Sequence, residues 1–221
     1  MTIDIDDLLN SIMGTLDRVS FVKSQEVPKI NLYMDQVTTF MEEHLKNTTR
    51  HKEEDKILTK TMINNYAKNN LLPPPEKKKY SKEHILVLIF IYYFKNIISI
   101  NDIQTILNPL TDQFFGKDGF SITDIYDEVT TISEEQIDLM KQDIRIKYET
   151  ATSQFKDSPK KDQEFLQMFS FICMLSFDVY FKKLLLESIL DQYTEKKERE
   201  EEKNFEKRRN ADGKSAEKRK L

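Results

Sequence analysis

The chain has 221 residues, 38% of them hydrophobic and 33% charged, with a formal net charge of −4. That is enough apolar material for a core inside a heavily charged surface, in one large domain or two small ones. With only 4 Gly and 6 Pro, three of them adjacent at Pro73 to Pro75, the composition argues against a fold of many tight hairpins or phosphate-cradling loops and for long helices.

The single cysteine, Cys173, precludes an intrachain disulfide and argues against a Cys-based zinc site, and a reducing cytoplasm is the simplest setting. Asp4, Asp6 and Asp7 give the start of the chain the wrong charge for a secretory signal. The apolar stretch 85–94 is shorter than the roughly 20 residues that cross a bilayer. The stretch 165–181 is interrupted by Gln167, Ser170, Ser176 and Asp178. Both read as buried helices, and no membrane partner is expected.

In chain order, Leu8, Leu9, Ile12, Met13, Leu16 and Val19 mark a first helical stripe, and Val27 to Ile30 a link. A second helix is predicted from Leu32 to Leu45, its inner face carrying Leu32, Tyr33, Val37, Phe40, Met41 and Leu45. Residues 46–56 are polar throughout and read as an exposed loop. A short helix follows Thr59, whose hydroxyl can cap it, and runs to about Asn69. Pro73 to Pro75 cannot continue it. Ser81 is predicted to cap an apolar helix from Lys82 to Asn96, and Ser99 another whose inner face is Ile100, Ile103, Ile106 and Leu107. Residues 111–121, with Gly116 and Gly119, read as a link. Beyond it the pattern predicts Ser121 to Val129, a helix from a capping box at Ser133 to about Phe155, and a last helix from Lys161 to Tyr193.

Charge is concentrated in one place. From Lys56 to Lys82 there are seven lysines and one acid, Glu76, so this segment carries +6 and the rest of the chain −10. A basic patch on an acidic protein suits an encounter with phosphates. Within it, Met62, Ile63, Tyr66 and Ala67 share one side of the short helix and read as core. Thr61, Asn64, Asn65 and Lys68 share the other, offering groups that bond to base edges and phosphates, with Asn suited to adenine. Leu71 and Leu72 anchor the chain back to the core, and Lys77, Lys78 and Lys79 project from a tight turn.

Residues 59–107 resemble the winged helix-turn-helix of the MerR family. The counterparts are Asn65-Tyr66 at the end of the recognition helix, Asn70-Leu71-Leu72 with Pro73 for its Gly-Leu-Leu-x-Pro, Lys77 to Lys79 for the basic wing, Tyr80-Ser81, and Ser99-Ile100 with Ile103. The arginine usual in that recognition helix is absent, with Asn64 near its place, and a polar loop is inserted after Leu45. From Pro28 onward, the segment Asn31-Leu32-Tyr33-Met34-Asp35-Gln36-Val37-Thr38 is also similar to a bacterial family of unknown function. The MerR resemblance implies double-stranded DNA as partner and homodimers formed through the helices that follow the DNA-binding part. Thr61, Asn64 and Asn65 would then read bases. Lys60, Lys68, Lys77, Lys78 and Lys79 would hold phosphates, with Thr59 at the helix start and Tyr80 beside the wing, the latter either packing beneath it or touching phosphate.

Other signals are weak. His44, His51 and His84 are scattered with no metal-ligand spacing, so no metal is expected. No Gly-rich phosphate loop, nucleophile elbow or His-Glu metal motif is present, so no catalytic residue, enzyme activity or cofactor is expected. Phe165, Phe169, Phe171, Phe177, Tyr180 and Phe181 are open to three readings: a bundle core, a dimer seam, or the lining of a pocket for a small apolar effector. The sequence thus predicts an all-α protein, with a winged helix-turn-helix over 1–110, a helical bundle or coiled hairpin for dimerisation over 111–193, and a charged tail over 194–221 passing into disorder. The expected role is a sequence-specific DNA-binding transcriptional regulator. The alternative is a non-catalytic protein-interaction module that uses the winged helix as scaffold.

Overall fold

A computed structural model describes residues 5–17, 21–51 and 54–218, and the side chains among them from Asp7 to Lys203 except Leu8. Val19 of the first stripe, the side chain of Leu8, and the side chains of the charged stretch beyond 203 lie outside the described residues. The chain divides into two compact units, Met1–Tyr180 and Phe181–Leu221. The elements are α1 (Ile5–Leu16), β1 (Leu32–Tyr33), α2 (Met34–Leu45), α3 (Lys60–Lys68), β2 (Lys79–Tyr80), α4 (Lys82–Phe94), α5 (Ile100–Phe114), α6 (Ile122–Thr152) and α7 (Lys160–Lys218). Among the described residues the only strands are one antiparallel pair of two residues each, in the register Leu32 with Tyr80 and Tyr33 with Lys79, and the remaining regular elements are helices.

The first unit holds two cores. α4 is apolar on every side, and every residue from His84 to Tyr92 is buried. Such a helix is stable only when surrounded. α2, α3, α5, the strand pair and the start of α6 supply the cover, through Val37, Met41, Ile63, Tyr80, Ile103, Ile122 and Tyr126 among others. Each fully buried aliphatic side chain here contributes about 1.5–3 kcal/mol of transfer free energy. The segment 21–30 is tied to α6: the Tyr126 hydroxyl donates to the Val22 carbonyl at 2.6 Å, and Ser24 Oγ donates to the Asp127 carboxylate at 2.7 Å. In the second core Met13, Ile144, Tyr148, Ala151 and Phe171 pack together, so α1 lies against α6 and the first turns of α7. Packing therefore does not divide at residue 110. The first core reaches forward to Tyr126, and α1 belongs with later helices.

Three expectations need correction. α5 runs through Pro109 to Phe114, where the sequence predicts a link from 111. α6 is one helix from Ile122, with no new start at Ser133; the Ser133 hydroxyl donates to the Val129 carbonyl one turn back instead of capping. α7 continues to Lys218, so the stretch from 194, expected as a fraying and disordered tail, is helical as far as it is described.

Candidate nucleic-acid interface

The local chemistry of α3 explains its boundaries. The Met62 amide donates to Thr59 Oγ1 at 3.2 Å, the expected N-cap. At the other end Asn70 has a φ of +56°. The Leu71 amide bonds to the Tyr66 carbonyl at 2.9 Å and the Asn70 amide to the Ala67 carbonyl at 3.3 Å. This is a Schellman ending with Asn in the left-handed position that usually takes Gly. It turns Leu71 and Leu72, each 1% exposed, into the core. On the same helix Ile63 and Tyr66 are buried, while Thr61, Asn64, Asn65 and Lys68 face solvent. No described group bonds to those four side chains. Gln104 of α5 donates to the Asn69 carbonyl at 2.6 Å and steadies the helix end.

The turn before α4 is unusual. Lys77 and Lys78 have φ of +49° and +64°, and the Lys79 amide closes on the Glu76 carbonyl at 2.9 Å. Positive φ at both central residues defines a type I′ turn, which favours Asn and Gly. Lysine there costs roughly 1–2 kcal/mol per residue, so this turn holds strain at the point where its two cations are exposed. The strand pairing sets Lys79 beside Tyr33, with the Lys79 ammonium 5.0 Å from the centre of the Tyr33 ring.

The start of α2 is where these parts meet. Tyr33 touches Lys79, and Asp35, two residues on, forms an ion pair with Lys60 at the start of α3. Lys60, Lys79 and the turn are thereby brought together around β1. Lys68 stands at the far end of α3, about 12 Å along the helix axis from Lys60. Asp35 and Tyr33 were not anticipated as members of this surface. Tyr33 was expected on an inner face, but the short strand alternates sides, burying Leu32 and leaving Tyr33 54% exposed. The alternation, and an acid opposite the capped start of α3, are the signals that could have found them. Lys60 is no free cation, because Asp35 neutralises part of its charge.

Two predicted contacts change role. Tyr80 is buried, 3% exposed, its ring set edge-on to His84 at 5.5 Å, so it packs beneath the turn and is corrected from surface contact to core. Thr59 is half-buried and its hydroxyl is used by the cap. His84 lies between Tyr80 and Phe115, with Nδ1 accepting from the Ser81 amide at 3.0 Å. Burial pushes its pKa down; the carbonyls of Pro74 and Pro73 oppose that shift, although Nε2 closes no hydrogen bond. Among the described residues no cluster of His, Cys, Asp or Glu could hold a metal ion. No described helix is long and apolar enough to cross a membrane.

The model of a family described as a domain of unknown function, DUF1836, matches residues 22–129. The match coincides with the first core, whose buried members run from Val22 to Tyr126. No curated protein and no solved structure matches the chain.

Proposed function

We propose that the protein is a sequence-specific DNA-binding regulator that lays the outer face of α3 in the major groove and sets the Lys77–Lys78 turn on the adjacent backbone. The observation that carries this reading is the pairing of an unspent polar face, Thr61, Asn64, Asn65 and Lys68, with a turn that holds two lysines in a strained conformation. Residues seldom occupy such backbone regions without a constraint from elsewhere. The succession β1–α2–α3–β2–α4, with β2 pinned to β1, supports a winged helix-turn-helix. Asn64 and Asn65 supply paired donors and acceptors suited to adenine, while Lys68, Lys77, Lys78 and Lys79 meet phosphate oxygens. The ion pair with Asp35 leaves Lys60 a smaller share. One such helix makes few base contacts, and two copies on adjacent half-sites would roughly double the specific free energy.

The test uses Lys77→Asn with Lys78→Gly, which suits the turn better and removes both cations. Affinity for duplexes selected from genomic fragments should fall, and the slope of log K against log salt should shrink by about 1.8. Unchanged affinity and slope would sink the reading. So would retention on heparin without preference among duplexes, which points to an acidic protein partner and the interaction-module alternative.

A further inference from the structure

α6 joins the two cores of the first unit. Its residues in the first core end at Tyr126, and those in the second begin at Ile144. No residue between them is buried. The bare stretch is nevertheless not polar all round. Val129, Ile132, Leu139 and Met140 stand 44–57% exposed. At 100° per residue they fall within a sector of about 100°, centred roughly 90° round the helix from Tyr126 and Ile144. Ile125, Val129, Ile132, Gln136 and Leu139 follow one another at spacings of four and three residues. That is the heptad seam of paired helices, with one polar residue at an inner position.

The charge beside this stripe has one sign. Residues 122–140 carry six acids and no base. Three of the acids have partners at home: Asp124 accepts from the Ser121 amide and hydroxyl, Asp127 from the Ser24 hydroxyl, and Asp138 meets Lys141. Glu128 and Glu135 are exposed, one heptad apart along one edge of the stripe, and no described cation pairs with either.

We infer that this stretch of α6 docks a basic amphipathic helix of another protein. Heptad spacing is what a helix lying alongside matches. Lys or Arg flanking its apolar stripe meets Glu128 and Glu135 as it covers Ile132 and Leu139. A second copy laid on the same stretch sets acid against acid. Nucleic acid and anionic lipid are repelled for the same reason. The four side chains leave roughly 300–400 Å² of apolar surface, which a monomer carries without a permanent cover. A contact of that size is a reversible one.

The probe is a fluorescein-labelled peptide of three heptads with Leu at the two inner positions and Lys beside them, set against a counterpart with Glu for Lys. Fluorescence anisotropy follows each with the full chain at low and moderate salt. Wild type should bind the Lys peptide with a micromolar Kd that weakens as salt rises, and should leave the Glu peptide free. Glu128→Gln with Glu135→Gln should weaken binding about threefold or more. Ile132→Ser with Leu139→Ser should weaken it about tenfold or more, with helical circular dichroism unchanged because both positions face solvent. Should the Ser pair lose helix, the Gln pair, which keeps the stripe intact, decides. No binding by wild type overturns the inference, as do equal affinity for the two peptides and a Gln pair that binds as wild type does. Sedimentation showing a doubled mass for wild type and a single mass for the Ser pair overturns it in favour of a second copy.

Discussion

α4 and the middle of α7 are the two apolar helices of this protein, and they end in opposite places. Leu86, Val87, Ile89 and Ile91 of α4 are wholly buried, whereas Ile172, Leu185 and Ile189 of α7 stand more than half in solvent. Both stretches lack a polar face wide enough to live on a surface. The difference is that, among the described residues, α4 is covered on every side, whereas on α7 Phe171 and Leu190 are buried and Ile172, Leu185 and Ile189 are not. Hydrophobicity around a helix says that it must be covered; it does not say by which molecule.

The comparison breaks most readily by cavity. Ile89→Ala should lower unfolding free energy by about 2–5 kcal/mol, whereas Ile189→Ala should change dilute protein by less than about 0.5 kcal/mol. Equal losses in denaturant titrations would show that α7 is as enclosed as α4. A second way to sharpen it is acid. His84 is held neutral by burial, so its folded pKa lies below its ordinary value. The native state then binds fewer protons than the unfolded chain. The stability tied to His84 is complete above about pH 6.5 and is lost as pH falls towards the folded pKa, at no more than about 1.4 kcal/mol per pH unit. Melting followed from pH 7.5 to 5.5 should flatten in His84→Gln, while α7 variants keep the slope of wild type. The smallest effect is expected at Asn70. Asn70→Ala should cost about 1 kcal/mol, because Ala at positive φ is strained, and Asn70→Gly should be neutral or slightly stabilising. A stable Ala variant would mean that α3 does not depend on this ending.

Local signals were the legible ones. Thr59, Ser81 and Ser99 begin their helices as their hydroxyls foretell, and the division of α3 between Ile63 with Tyr66 and Asn64 with Lys68 follows from helical spacing alone. What could not be read depended on neighbours. Ser133 carries a capping sequence, yet α6 passes through it; the core beneath Tyr126 and the contact with α1 near Ile144 hold it continuous on both sides. Tyr80 resembled a wing residue in sequence, but a two-residue strand fixes its face and sends its ring inward. For the aromatic rings of α7 the sequence leaves a bundle core, a dimer seam and a pocket lining open, because its pattern does not distinguish cover by the same chain from cover by another molecule.

The bond from Tyr126 to the carbonyl of Val22 joins residues more than a hundred positions apart. A ribosome must therefore deliver nearly the whole of this domain before this bond can close, although Phe21 can already meet Tyr93 of α4, the two ring centres lying 5.4 Å apart. During that interval α4, the least polar helix of the unit, has been made and lacks part of its shell. Nascent chains in this state are where a chaperone would find its grip.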